Sequence, residues 1–346
     1  MRSHPKRKTA EKRFYSKWVR ISQCLKVSHL AGNSRRGKSS PPGASSERKK
    51  LSRSSDSLHY PMPQGQGRIR GESVIMQAQD VTHVLYHAEC ADGFGAAYAA
   101  WKILGDKAHY LPVQHGTPPP ELPADAKVAI VDFSYKRDLI LELKERVSDL
   151  IVLDHHTTAQ DELAGLPFAT FDMDKSGARM AWEFWHPHED VPDMIAYIED
   201  KDLWLWNLEQ SKEFTIALHS YPMDFQVWDA LTPEHLKLEG VALLRLQDIM
   251  IQSAVRRVSF RSLFGYNVPV VNATEFRSEI ANYLCTLYPE VAFAAAYYDD
   301  ENGARNWSLR SVGEFDVAAL ARSMGGGGHK NASGFSGSPP KAMPVA

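Results

Sequence analysis

Three cysteines in a chain of 346 residues, Cys24, Cys90 and Cys285, are an odd number with no paired spacing, which excludes a disulfide framework. No run approaches the roughly 18 consecutive apolar residues that a membrane-spanning helix needs. The expected location is therefore cytoplasmic, with no membrane partner. No repeat of solenoid length recurs. The G-x-x-x-x-G-K-[ST] spacing of a P-loop is also missing. Charge of one sign is scarce only on average: the formal net of −2 hides a basic start and an acidic remainder. Residues 1–75 hold 18 Lys plus Arg against 4 Asp plus Glu, a net of +14, and the rest holds 22 against 38, a net of −16.

That basic segment is rich in Ser, Gly and Pro and has little periodicity, so it is expected to be disordered. It reads as an electrostatic arm for nucleic acid or as an organellar transit peptide. The third reading, which we favour, is translated upstream sequence ahead of a natural start at Met76.

From Met76 the pattern is α/β. Strands are expected near 82–87, 109–113, 127–132, 149–154 and 168–171, with helical patterns at 96–104 and 136–147 between them. Residues 209–258 read as helical. Strands at 267–272, 291–298 and 306–312, with helices at 275–288 and 316–324, form a second, smaller α/β unit. The expected organisation is a leader (1–75), a domain with a parallel sheet (76–233), a helical linker (234–258), a smaller α/β domain (259–338) and a tail (339–346). The cleft between the two domains is where a ligand is expected.

Asp154-His155-His156 directly follows the apolar run Leu150 to Leu153, so a carboxylate and two imidazoles project from the end of a buried strand. In an open α/β sheet, ligands gather outside the carboxyl ends of the strands. Two other strands end the same way, one at His87, ahead of Glu89-Cys90-Ala91-Asp92-Gly93, and one at Asp132. Asp200 and Asp202 arrive from a later helix. Each feature alone has a bland reading: Asp132 as a helix cap, Asp92-Gly93 as a turn, the later pair as a solvated helix face. Together they form a set of hard oxygen ligands with a minority of imidazoles. Such a set suits Mn²⁺ or Mg²⁺ over a thiolate zinc site, and two such ions clamp a phosphoryl group around a bridging hydroxide.

These motifs, in this order, resemble the DHH phosphoesterase superfamily, which holds RecJ-type exonucleases, nanoRNase/pAp phosphatases, cyclic-dinucleotide phosphodiesterases and family II pyrophosphatases. A distant run, Gly325-Gly326-Gly327-Gly328-His329-Lys330, is similar to the GGGH signature of the DHHA1 domain. The resemblance spans residues 82–336. It implies a metal-dependent phosphoesterase with two Mn²⁺ ions, Mg²⁺ being the alternative. His87, Asp92, Asp132, His155 and Asp200 are the implied ligands, with Asp202 competing with Asp200. His156 is the implied acid, and Asp154 the residue that orients an imidazole. Arg310, Gly326, Gly327, Gly328 and His329 are the implied substrate-binding residues. Small nucleotides or very short oligonucleotides are the expected substrates, and a homodimer is the default assembly. The family's first motif carries two aspartates in D-x-D spacing, and here Cys90 stands two before Asp92. That departure keeps open a catalytically weakened nucleotide sensor. Within the superfamily, a single-strand exonuclease or a polyphosphate hydrolase is the other alternative.

The glycine run also reads physically, as a helix end whose backbone N–H groups turn toward an anion, with His329, Lys330 and Arg310 adding donors. Ser176-Gly177-Ala178 reads equally as a loop behind the site and as an ordinary helix cap. Of the tryptophans, Trp182, Trp185, Trp204, Trp206 and Trp228 are candidates to stack bases, although the i, i+3 spacing of Trp182 and Trp185 favours core packing.

Overall fold

The computed structural model describes residues 76–114 and 116–340. The basic leader and most of the expected tail lie outside the described residues. No helix among the described residues is long and apolar enough to cross a membrane.

The first lobe is built on β1 (His83–His87), β2 (His109–Val113), β3 (Lys127–Val131), β4 (Asp149–Asp154) and β5 (Ala169–Phe171). These pair in parallel in the order β2-β1-β3-β4-β5. β3 and β4 are continuous apolar runs because both faces of a parallel sheet are covered. One face packs on α1 (Ala91–Leu104), α4 (Gly177–Trp185), α5 (Asp193–Asp202) and α6 (Ser211–His219). The other packs on α2 (Arg137–Arg146), whose Ile140 and Leu143 are fully buried, and on Leu163 just beyond α3 (Thr157–Glu162). Burying each such aliphatic side chain stabilises the fold by about 1.5–3 kcal/mol. The strand order reverses direction between β1 and β3, so their carboxyl ends, at His87 and Asp132, flank the crevice where such sheets bind ligands.

α7 (Phe225–Ala230) and the long α8 (Pro233–Val255) lead to the second lobe. Thr232 caps α8 by accepting from His235 N, with Pro233 in the first turn where its missing N–H is harmless. β6 (Ser259–Leu263), β7 (Tyr266–Asn272), β8 (Ala294–Asp299), β9 (Arg305–Arg310), β10 (Gly327–His329) and β11 (Ala332–Ser336) form a mixed sheet in the order β10-β11-β9-β8-β7-β6. α9 (Arg277–Leu287) covers one face together with Ile251 and Val255 of α8, and α10 (Val317–Ser323) covers the other.

Four elements, α1, β6, β10 and β11, depart from the sequence pattern. α1 begins at Ala91 rather than Ala96, with Cys90 at its N-cap position. Gly93 and Gly95 weaken a helix locally, but a Cβ at Gly93 would lie 2.3 Å from the His87 carbonyl oxygen, so packing against β1 requires glycine there. The hairpin β10–β11 and strand β6 were not legible, because short polar and glycine-rich strands lack alternation.

Candidate active site

Three strands of the first lobe, β1, β3 and β4, end at functional side chains, and helices α1 and α5 add Asp92 and Asp202. Asp132 follows β3 in a left-handed conformation, φ 61°, and its N–H donates to the Leu153 carbonyl at 3.0 Å. A non-glycine residue there is uncommon, with Asp among the more tolerant types. The turn is held by Gly177, where a Cβ would sit 2.5 Å from that of Asp132. Asp92, in the first turn of α1, accepts from Gly177 N at 2.7 Å and Ala178 N at 2.9 Å. The Ser176-Gly177-Ala178 segment is therefore both a cap and part of the site. Ser176 caps α4 by accepting from Arg179 N, and the helix N-terminus grips a buried carboxylate.

His155 is the hub. It is buried, and its Nε2 lies 3.1 Å from Asp132 Oδ1 and 3.5 Å from both Asp92 Oδ2 and Asp202 Oδ2. His87 Nδ1 is 3.5 Å from Asp132 Oδ2. Cys90 shares a cluster with His87 and Asp132 whose ligand atoms all fall within 4.8 Å of one another. Asp154, fully buried, accepts on Oδ1 from the backbone of His155 at 2.7 Å and of His156 at 3.3 Å, and the same oxygen lies 2.7 Å from His156 Nδ1.

The second lobe closes the site. His329 on β10 stacks on His156 with ring centres 4.8 Å apart and planes 17° apart, and it lies 4.9 Å from the His155 ring. Thr157 Oγ1 donates to the Gly328 carbonyl at 3.2 Å. A Cβ on Gly327 would meet Thr158 Oγ1 at 2.9 Å, so glycine permits the close approach of the hairpin.

Asp200, the glycine run and Arg310 are held largely by the protein's own hydrogen bonds. Asp202, not Asp200, joins the cluster: both Asp200 oxygens accept backbone N–H groups, from Asn207 at 2.8 Å and Leu208 at 3.3 Å, and are spent on the loop. The glycine run forms a helix end and the start of a strand. Gly325, φ 78°, and Gly326 close α10, with Gly326 N donating to Ala321 O at 2.9 Å and Gly325 N to Arg322 O at 3.0 Å, while Gly327 and Gly328 enter a strand. Lys330 is paired with Glu314 at 2.7 Å on the surface. Arg310 donates to Ser278 Oγ and to the Leu309 carbonyl, and its buried Nε has no hydrogen-bond partner.

The electrostatics separate the imidazoles. Burial alone would lower the pKa of His155, but the Asp132 contact and the charges of Asp92 and Asp202 push it up to about 11. Burial also opposes the charge on His156, and Asp154 overcomes it, so this pKa is raised. His329 is pushed down to about 4 by burial and by the neighbouring His156 and His155. Asp92 is raised well above the carboxylate range by burial and by the adjacent Asp132 and Asp202. Burial and the same carboxylates hold the Cys90 thiol protonated. Three carboxylates converge in this buried cluster, with Asp132 Oδ2 facing His87 Nδ1 at 3.5 Å, and such a concentration of buried negative charge favours cations. The donor set fits hard divalent ions.

The DHHA1 domain model matches residues 273–346, the stretch that contains the hairpin carrying His329. An Acanthamoeba polyphaga mimivirus protein called uncharacterized protein R106 is 32% identical over 295 residues, spanning 76% of this chain and 69% of its own length. Residues 273–346 belong to the DHHA1 domain family. Solved structures similar to this protein include a pGpG-specific phosphodiesterase, PggH, from Vibrio cholerae, at 14% identity and TM-score 0.43, covering 74% of this chain and 92% of that one. RecJ from Thermus thermophilus in complex with Mn²⁺ is 14% identical at TM-score 0.44, covering 75% of this chain and 50% of that one.

Proposed function

We propose that this DHHA1-domain protein is a Mn²⁺-dependent phosphodiesterase, with Mg²⁺ as the alternative ion, acting on small nucleotides or very short oligonucleotides. The observation that carries this reading is the convergence of Asp92, Asp132 and Asp202 on one buried imidazole, beneath a histidine pair contributed by both lobes. His87, Asp92, Asp132, His155 and Asp202 would hold the cations, with Cys90 at the edge as a neutral thiol. Bound there, divalent ions supply Lewis acidity toward phosphoryl oxygens and lower the pKa of water. The protein's own side chains do the rest. Asp154 fixes His156 through Nδ1, which assigns proton transfer to Nε2, and its charge raises the ring's pKa, favouring the protonated form that donates to a leaving oxygen. His329, neutral at pH 7, offers a hydrogen bond to the phosphoryl group without adding charge to the site. Two stacked imidazoles with opposed pKa shifts are the pattern expected of a divided acid and binding role.

The test is nucleotide or phosphate release by the full chain in Mn²⁺, with pAp, dinucleotides, cyclic dinucleotides, a ten-nucleotide strand and pyrophosphate offered side by side. Turnover of the shortest nucleotides, lost in Asp132→Asn, supports the assignment. Turnover of pyrophosphate alone overturns the substrate class. The neutral Cys90 thiol, where the DHH superfamily has a carboxylate, favours a second reading as a nucleotide sensor. Nucleotide and metal binding without any cleavage would establish that reading instead.

A further inference from the structure

Five tryptophans are candidates for base stacking on sequence alone, and the fold divides them. Trp182, Trp185 and Trp228 are buried in the first lobe's core. Trp204 and Trp206 instead line a cavity of about 360 Å³ between α6, α8 and α9. That volume lies within the roughly 300–1,000 Å³ range of small-molecule sites.

The cavity adjoins the acidic cluster through the chain itself. Asp202 ends α5 inside the cluster, and the two tryptophans follow it by two and four residues. On the opposite wall, Glu279 follows Ser278, which accepts a hydrogen bond from Arg310, and the Arg310 charge is felt by both Glu279 and Asp202.

The backbone at this loop is informative. α5 closes with Leu205 N donating to Asp200 O at 2.8 Å and Trp204 N to Lys201 O at 3.0 Å, which places Trp204 at φ 59°. α10 closes by the same bond pattern, but with Gly325 in the left-handed position. Glycine is the ordinary occupant there, and a bulky aromatic is an outlier. Trp206, φ 56°, repeats the anomaly two residues later. Asp200 holds both in place, since its carbonyl also accepts from Trp206 N at 3.3 Å and its carboxylate accepts from the next two N–H groups. A conformation that disfavours these side chains persists at a cavity wall, which points to a use for the rings.

The cavity chemistry suits a flat, polar-edged aromatic. The two indoles meet edge-on, 5.0 Å apart at 75°, and Lys212 lies 5.4 Å from the Trp206 ring centre. Tyr283 adds a third aromatic, and Gln247, Gln252 and Asn282 add amides that both donate and accept. We propose that this cavity is a nucleobase subsite, stacking a base on Trp204 and Trp206 while the base's phosphate lies at the acidic cluster. Base recognition here rests on the phosphodiesterase reading of the cluster, and binding and turnover are measured separately so that each can fail alone.

Calorimetric titration of the full chain in Mn²⁺ uses two unhydrolysable ligands, the methylene phosphonates of adenosine 5′-phosphate and of ribose 5-phosphate. The adenosine ligand is expected to bind about 10- to 100-fold more tightly, the range that stacking on aromatic side chains supplies. Trp204→Gly and Trp206→Gly suit the backbone at both positions and should each remove most of that ratio, leaving the ribose ligand unchanged. Phe at either position should keep it. Equal affinity in the unmodified protein, no binding of the adenosine ligand, or equal weakening of both ligands in the glycine variants overturns the subsite, whatever the hydrolysis assay shows. A base-dependent ratio lost in the glycine variants, with no ester cleaved, leaves the subsite standing and defeats the hydrolase reading.

Discussion

Asp154 and His156 show how a few tenths of a nanometre set chemistry at the residue scale. The 2.7 Å contact keeps the His156 pKa raised, so a rate that needs the protonated ring falls only as pH rises through that elevated value. Asp154→Asn removes the charge, so the alkaline limb of kcat is expected to move to lower pH. His156→Ala is expected to lower kcat by about 10²–10⁴-fold with substrate binding largely kept. A pH–rate profile of the three proteins checks both. Asp200 and Asp202, two residues apart on α5, are expected to separate cleanly. Asp202→Asn should abolish Mn²⁺-dependent turnover and leave the melting curve near that of the unmodified protein. Asp200→Asn weakens charge-assisted bonds to two backbone N–H groups, and a stability loss of about 1.5–3 kcal/mol is expected by denaturant titration.

At the scale of elements, the site depends on how closely α4 approaches β3. Gly177 is both the first residue of α4, donating to Asp92, and the neighbour against which the Asp132 turn packs. A methyl group there would have to displace Asp132. Gly177→Ala is expected to destabilise the protein by about 1–3 kcal/mol, as overpacking does. It should also lower Mn²⁺ affinity, unlike a distant core variant of equal stability. Metal titration of both variants distinguishes these outcomes. The hairpin β10–β11 works similarly, its glycines permitting close approach to Thr157 and Thr158.

For the whole molecule, the converging carboxylates tie folding to cation and proton. In the metal-free protein the His155 pKa, about 11, exceeds its ordinary 6.5, so the folded state holds a proton that the unfolded chain releases. That contribution to stability is full below about pH 6.5 and is lost as pH rises toward 11. A cation held by His155 would have to displace this proton. Its binding is expected to release protons at pH 7 to 8, visible as a dependence of calorimetric heat on the buffer's ionisation enthalpy. At a Mn²⁺ concentration near 100 Kd the fold gains about 2.7 kcal/mol, raising the melting temperature by roughly 5–10 °C. EDTA or Asp132→Asn should abolish that rise.

The strands of the first lobe, the residues at their carboxyl ends and the DHHA1 domain were legible in the sequence, because buried parallel strands are continuous apolar runs, their ends are where ligands must gather, and the glycine–histidine run is a distinctive motif. Whether Asp200 or Asp202 entered the site was not legible. Two carboxylates two residues apart at a helix end differ only in which way the helix is rotated, and packing against the first lobe set that rotation. The true start of α1 and the strand made by the glycine run were likewise hidden, since glycine signals a break locally while here it allows two backbones to touch. His329 was marked by its motif, but its place on the His156 ring required the second lobe to fold over the first. Sequence determined which chemical groups the site has, and tertiary packing decided which of them meet, because local preference cannot encode a contact between residues 173 positions apart.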